Sequence, residues 1–377
     1  VRIGIDTGGT FTDFILIEKG QIRIYKHGSD PAQPAGPILE GLKWLQKSEE
    51  LPEIICGSTV ATNVLLERKG ARTALITTRG FEDILEIGRQ NRPRIYDFQV
   101  EKPPPLVPRS LRYGVQERNS SRGDVLQELG IEELKHLLER LKKKKIEAIA
   151  VWLLFAYANP VHEQQIASLF EGQGYFLSLS HQILPEFREY ERCSTTAINA
   201  YVSPKIDRYF SYLEEKVKTR QLRVMQSNGG CISGLTARRE AVRTIYSGPA
   251  AGVLGGLEIS RLAGYPNAIT FDMGGTSTDV SLCSGAITYT TESMIGGLPV
   301  KIPMIAIHSV GAGGGSLAYR DSGGALRVGP ESAGAVPGPA CYGKGGAGLT
   351  VTDANLFLGR LDPENFLGGE MKLFPDR

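Results

Sequence analysis

Apolar positions at the start of the chain alternate with polar ones at a period of two. Val1–Ile5, Phe14–Glu18 and Gln21–Tyr25 read as three strands of a meander. Pro37–Gln46 then carries the helical period. Glu53-Ile54-Ile55-Cys56 reads as a buried strand, with Gly57-Ser58-Thr59 opening a helix through Leu66. Thr73–Thr78 is a further strand and Phe81–Ile87 a helix. The pattern lapses over residues 91–123, where Pro93, Pro103, Pro104, Pro105 and Pro108 predict extended loop or short strands. Periodicity returns with helix Ile131–Lys144, strand Ala148–Phe155, helix Pro160–Glu171, strand Phe176–Ser180 and a long helix from Tyr190 to about Thr219. This alternation predicts an α/β fold. A second unit opens with a strand at Arg223–Gln226. Ser247–Gly256 begins a helix, with Pro249 well placed near its start. Ala250, Ala251, Gly252, Gly255 and Gly256 leave one face of it nearly bare, as an interdomain hinge or an ordinary tight core contact would require.

One phrase occurs twice. Asp6-Thr7-Gly8-Gly9-Thr10-Phe11-Thr12-Asp13 is repeated as Asp272-Met273-Gly274-Gly275-Thr276-Ser277-Thr278-Asp279, each copy between two apolar runs. That is a strand, a tight turn and a second strand, written twice. Paired glycines let backbone N–H groups approach an anion with no Cβ in the way. Threonine hydroxyls donate to phosphate oxygens, and an Asp at a strand end can hold hydrated Mg²⁺, which prefers one or two carboxylates plus phosphates. Two such hairpins facing each other would grip a polyphosphate.

Composition narrows the class. With 377 residues, two or more domains are expected. The 41% hydrophobic and 22% charged content is that of a soluble globular protein, and a net charge of +2 leaves no nucleic-acid footprint. The one basic run, Arg140-Leu141-Lys142-Lys143-Lys144-Lys145, closes a helix, where cations suit the negative end of its dipole. The five cysteines are odd in number and show no CxxC spacing, which fits a reduced, cytoplasmic setting. The apolar run Ile146–Ala158 contains Glu147 and is too short to span a bilayer, so no membrane partner is expected. A strand begins at once at Val1, and no signal peptide is expected before it. Glycine is in excess: 26 of the 45 lie between Ser227 and Thr350, which points to tight turns and close backbone approaches.

The two DxGGTxTD hairpins, with an α/β region and a small-residue helix between them, resemble the actin-like ATPase superfamily. More narrowly, the chain resembles the A-type subunit of the hydantoinase/oxoprolinase family. Further matches are Thr59–Asn63, Leu66–Gly70, Gly80-Phe81, Ile87–Gln90, Ser227–Gly230 and Ser247–Gly252. Later ones are His308–Ser316, Gly338–Gly343 and Thr350–Asn355. The family usually carries a His where this chain has Cys56, so any role of that His is not carried over. The resemblance implies duplicated ribonuclease H-like domains. These are a first domain at 1–185 with the first hairpin, and a second at 186–377 with the later hairpin and incomplete, the adenosine-contacting segment lying beyond Arg377. It also implies ATP and Mg²⁺ as cofactors, a B-type partner subunit, an oligomer, and a small-molecule substrate. The activity implied is ATP-dependent hydrolysis of a cyclic amide or imide, of hydantoin or 5-oxoproline type, by phosphorylation of the carbonyl oxygen. A ketone-carboxylase subunit, a small-molecule kinase and a non-catalytic nucleotide-switched subunit are the alternatives.

The site expected on these grounds has Asp6 and Asp272 as metal carboxylates. Around them stand Thr7, Gly8, Gly9, Thr10, Thr12 and Asp13 of the first hairpin, and Gly274, Gly275, Thr276, Thr278 and Asp279 of the second. Of the threonines, Thr10 and Thr276 are the stronger phosphate donors; Asp13 and Asp279 either position a water or hold the hairpins shut. Gly313, Gly314 and Gly315 form a second anion cradle or a flexible turn. His308 is a core histidine or an acid/base group. Arg89, Asn91 and Arg92 are a surface loop or contacts to a substrate carboxylate or imide. Cys341 has no paired base in view and is not expected to be a nucleophile.

Overall fold

Two strands, Thr73–Thr78 and Ala148–Trp152, are buried at every position, the mark of a parallel sheet covered on both faces. They sit at the centre of a four-stranded parallel sheet in the order Phe176–Leu179, Ala148–Trp152, Thr73–Thr78, Arg112–Val115. The computed structural model of the chain describes all residues except 10, 31–32, 46–49, 92–95, 97–98, 100–101, 335 and 370. The chain is α/β and divides into two compact units. The first comprises Val1–Gly4, Ser48–Ser247 and Thr290–Met304; the second comprises Ile5–Lys47, Gly248–Tyr289 and Ile305–Arg377.

In the first unit, helix Ile131–Lys142 buries Leu134, Leu137, Leu138 and Leu141. The long helix Glu189–Lys216 adds Cys193, Ala197 and Ala200 to the same core. Its first turn is anchored by charge. Arg192 is 0% exposed, donates to Leu153 O at 2.9 Å and to Ser180 Oγ and Glu189, and stands over the Trp152 ring. Buried Glu163 accepts from Leu153 N at 3.1 Å and from Ser180 Oγ at 2.6 Å. These bonds tie the start of the helix to the end of strand Ala148–Trp152, although Arg192 Nε and Glu189 Oε1 have no hydrogen-bond partner among the described residues. Strand Gln221–Met225 pairs in parallel with Glu53–Ser58 and antiparallel with Cys231–Ser233.

In the second unit, strands Phe11–Glu18 and Gln21–Gly28 form a hairpin from Phe11↔Gly28 to Glu18↔Gln21. Phe14 and Leu16 point inward with Ile38, Leu42 and Leu45 of helix Ala35–Leu45. The Phe14 ring lies so close to Gly41 that a Cβ there would stand 2.2 Å from it. Strands Asn267–Met273, Thr278–Ser284 and His308–Val310 make an antiparallel sheet. Helix Ser247–Leu262 supplies Ala250, Val253 and Leu257 to a core with Cys283 and Ile305. Helix Val351–Phe357 is closed by a capping box between Thr350 and Asp353.

Within the proline-rich stretch, expected as extended loop or short strands, Arg112–Val115 is a sheet strand. The structure departs from the sequence pattern in two places. The helix expected over Phe81–Ile87 is formed only at Ile84–Ile87. Both hairpins belong to one compact unit, whereas one was expected in each sequential domain. The compact units are discontinuous in sequence: residues 5–47 are grouped with 248–289 and 305–377.

Candidate phosphate and metal site

The two repeated phrases fold alike. In each, the N–H of the first glycine donates across the turn: Gly8 to Phe11 O at 2.9 Å, and Gly274 to Ser277 O at 2.9 Å. A Cβ at Gly8 would stand 3.0 Å from Phe11 O, so a side chain there would force the turn to give by a few tenths of an ångström. The second glycines differ slightly in exposure, Gly9 exposed and Gly275 half-buried. Thr276 is exposed at the apex, while its counterpart Thr10 lies outside the described residues.

The remaining threonines turn inward. Thr7 is buried. Thr12 is 0% exposed and its hydroxyl bonds Ser29 Oγ at 2.9 Å. Thr278 is also buried, and its hydroxyl donates to Ala312 O. Thr12 and Thr278 were expected among the phosphate contacts; both hydroxyls are instead spent pinning their strands to a neighbouring segment.

The carboxylates converge. Asp6 is pushed up to about 6, first by burial, then by Asp13 and Asp272, with Lys26 opposing. Asp279 is also raised, by burial and by Asp272, against a hydrogen bond from Ser309. Asp13 lies opposite Lys26 in the hairpin and accepts from its Nζ at 2.6 Å. Asp279 lies opposite Asp272 on one side and Ser309 on the other. Asp13 is thereby tied to strand Gln21–Gly28, and Asp279 faces Ser309 of strand His308–Val310, while Asp272 and Asp279 repel each other across their hairpin. Asp272 is exposed.

Helix Ser247–Leu262 runs beside this cluster with a glycine stripe. A Cβ on Gly248 would lie 2.8 Å from Asp6 Oδ1, one on Gly252 3.9 Å from Asp272 Oδ2, and one on Gly256 2.7 Å from Thr270 Cγ2. Residues four apart share a helix face, so Gly248 and Gly252 line one approach to the two aspartates and Gly256 continues that face against Thr270. Gly255 meets nothing within 4 Å and is not part of that stripe. The bare face read from the sequence omitted Gly248 and included Gly255; the four-residue glycine spacing was the available signal.

Gly313–Gly315 pack directly on the second turn. Gly314 and Gly315 donate to Gly274 O at 2.8 Å and Gly275 O at 2.7 Å, and Gly313 donates to Ser316 Oγ at 2.8 Å. A Cβ on Gly313 would stand 2.6 Å from Gly274 O. The amides expected to form a second anion cradle are thus engaged with protein acceptors, and the run braces the Gly274–Gly275 turn. Thr352 locks it from behind, donating its N–H and its hydroxyl to Gly314 O, each at 2.8 Å. His308 is exposed on its strand opposite Val280, which removes the core-histidine reading. Cys341 is buried and its thiol is pushed up to about 12 by burial and by Asp353, so it is no nucleophile at neutral pH. Arg89 and Asn91 line a separate cavity in the first unit; Arg92 lies outside the described residues.

The residues present fit a hydrated Mg²⁺. Among the described residues, no three His, Cys, Asp or Glu side chains stand close enough to hold a metal by themselves. Mg²⁺ bound through phosphates needs only one or two carboxylates. Buried Asp6 Oδ1 has no hydrogen-bond partner among the described residues, and its repulsion by Asp13 and Asp272 is what a cation would relieve.

Comparison with known proteins decides the family. Residues 2–174 match the profile described as the hydantoinase/oxoprolinase N-terminal region, and residues 192–377 match the hydantoinase/oxoprolinase profile. The chain belongs to the hydantoinase/oxoprolinase family. It is 39% identical over 391 residues to caprolactamase subunit alpha of Pseudomonas jessenii, covering 99% of this chain and 56% of that protein. It is 34% identical over 429 residues to 5-oxoprolinase of Dictyostelium discoideum, covering 97% of this chain and 33% of that protein. The crystal structure of the ATP-dependent caprolactamase from P. jessenii superposes with a TM-score of 0.84 at 38% identity, over 99% of this chain and 57% of that one. Nucleotide-free acetone carboxylase gives 0.82 at 32% identity, over 99% and 56%. The chain therefore spans little more than half the length of the caprolactamase and acetone carboxylase chains and about a third of the 5-oxoprolinase. Among the described residues, no helix is long and apolar enough to cross a membrane.

Proposed function

We propose that this hydantoinase/oxoprolinase chain supplies the phosphate and metal site of an ATP-dependent hydrolase acting on a cyclic amide or imide, in an actin-like ATPase arrangement. The observation that carries the reading is the buried, unpartnered Oδ1 of Asp6, set among Asp13 and Asp272 beside a stripe of glycines. When bound, Mg·ATP supplies a phosphoryl group for the carbonyl oxygen, which ends amide resonance and leaves the carbon open to water. Asp6 and Asp272 hold the hydrated cation. The exposed turn at Gly9 and the apex hydroxyl of Thr276, with Thr10 as its counterpart, donate to phosphate oxygens. Asp13, Asp279 and the Gly313–Gly315 run keep the two turns in place, and exposed His308 is the acid/base candidate. Such catalysis is positioning plus charge neutralisation, which preformed turns provide at little reorganisation. A B-type partner subunit in an oligomeric cytoplasmic enzyme completes the proposal. Naming of the P. jessenii relative as a subunit alpha supports a partner.

The likeness to acetone carboxylase favours a second reading, the ATP-using subunit of a ketone carboxylase. Phosphate release by the complete protein separates the two. A hydrolase is stimulated by a lactam or hydantoin alone, a carboxylase only by ketone with bicarbonate, and a kinase yields phosphorylated product instead of free phosphate. In either enzyme, Asp6→Asn and Asp272→Asn should each reduce turnover by at least about 100-fold with the fold intact. The double variant should be no worse than either single one, since both act on one metal–phosphate unit. Wild-type turnover in either single variant removes that Asp from the mechanism.

A further inference from the structure

The first unit contains a cleft of about 600 Å³, a volume suited to a small molecule. Its wall combines the end of the Ile84–Ile87 helix, the Pro103–Pro105 run, the start of helix Glu189–Lys216 and the Glu292–Lys301 segment. Among the described residues, the charges lining it do not cancel. Glu86 is held by buried Arg112 at 3.0 Å, and Lys301 by Glu186 at 2.7 Å. That leaves Arg89, Lys102 and Arg188 against Glu191 and Glu292, three cations for two carboxylates. Arg89 and Glu191 neutralise each other through a bidentate pair at 2.7 and 2.6 Å. Among the described residues, Lys102 donates only to the Ile87 carbonyl, at 3.3 Å. Arg188 stands over the Phe187 ring, with no carboxylate in ion-pair range among the described residues. Its φ of 88° is left-handed, a conformation a non-glycine residue keeps only where the surroundings impose it and which gathers at ligand sites. The anchored start of the long helix imposes it here, through the Arg192–Glu189 and Arg192–Ser180 contacts.

We infer that this cleft binds a small organic carboxylate, received by Arg188 and Lys102 and bounded by Arg89–Glu191 and Tyr190. The site is distinct from the phosphate hairpins and does not depend on the reading given for them. One unmatched positive charge selects a monoanion over its neutral isostere. A guanidinium with no hydrogen-bond acceptor among the described residues, and only Glu191 within electrostatic reach, is the group best shaped to take a carboxylate.

Calorimetric titration of the full chain with cyclopentanecarboxylate and with cyclopentanecarboxamide tests this. The two probes have the same ring and nearly the same shape, and differ in charge. The carboxylate should bind at least roughly tenfold more tightly, a modest margin for one charge-assisted contact. Arg188→Gln and Lys102→Gln should each weaken it severalfold, while Glu292→Gln should tighten it by removing a repelling charge. All three residues lie at the surface, and circular dichroism checks each fold. The Asp6→Asn chain should titrate with the carboxylate as the wild type does, so a failure here is separable from failure of the phosphate site. Equal affinity for the two probes, no heat from either, or a folded Arg188→Gln chain that binds like the wild type overturns the assignment.

Discussion

Asp6 illustrates a conflict between stability and function within one side chain. Burial and the neighbouring carboxylates Asp13 and Asp272 lift it to about 6, against an ordinary value of 3.8. An acid raised in the folded state binds its proton more tightly there than when unfolded. Its contribution to stability is therefore favourable below about pH 4 to 6 and is lost as pH rises through 6. A rise of about two pKa units corresponds to roughly 3 kcal/mol; residual exposure of Asp6 reduces this to about 1–3 kcal/mol. Asp6→Asn should thus stabilise the metal-free chain by that amount at pH 8 and by almost nothing near pH 4. Urea unfolding of both chains at the two pH values measures it. Equal differences at both would show that the carboxylates do not strain one another. The aspartates themselves were legible in the sequence because a rigid eight-residue phrase repeats. Which threonines face outward was not legible. Thr12 and Thr278 are drawn inward by Ser29 and Ala312, partners 17 and 34 residues away.

Among elements, helix Ser247–Leu262 decides how close a backbone comes to those carboxylates. Gly255 and Gly256 are adjacent in sequence and opposite in consequence. A Cβ at 255 enters open space, whereas one at 256 meets Thr270 Cγ2 at 2.7 Å, closer than real Cβ atoms come. Gly255→Ala should stabilise by about 0.5–1 kcal/mol through helix propensity alone. Gly256→Ala gains the same propensity but must displace Thr270 or the helix, an overpacking penalty of about 1–3 kcal/mol. A difference of about 2 kcal/mol between the two variants is expected in thermal or urea unfolding; indistinguishable variants would mean the stripe is not in tight contact. That a small-residue helix starts near Pro249 was readable from composition. Its orientation was not, because Ile259 and Leu262 are as apolar as the inward Val253 and Leu257 yet are exposed. The strand Thr73–Thr78 was fully legible for the opposite reason: every residue is buried and the run is bounded by turns.

At the scale of the whole molecule, the sequence reads as two consecutive domains, yet the compact units interleave, residues 5–47 being grouped with segments more than 200 positions downstream. Alternation along the chain reports which elements exist and not which of them pack together. The two units also differ in how they bury their sheets. Thr73–Thr78 and Ala148–Trp152 have no exposed position, while Asn267–Met273 has no buried one, with Ile269 and Phe271 at 67% and 65% exposure. Asn267–Met273 is moreover an edge strand, bonded to a neighbour on one side only. Local opening free energy follows buried apolar contact, so the two sheets should not exchange amide hydrogens together. Exchange followed by mass spectrometry should find the Asn267–Met273 peptide at least about 100-fold faster than Thr73–Thr78, a difference of roughly 3 kcal/mol in opening. Added Mg·ATP should slow exchange at the two turns, Gly8–Phe11 and Gly274–Ser277, in proportion to occupancy, and leave Thr73–Thr78 unchanged, because a ligand protects only the openings that release it. Comparable rates in the two sheets would show that the second unit is held by more than its described contacts. Protection appearing at Thr73–Thr78 without any at the turns would place the nucleotide elsewhere than at the repeated hairpins.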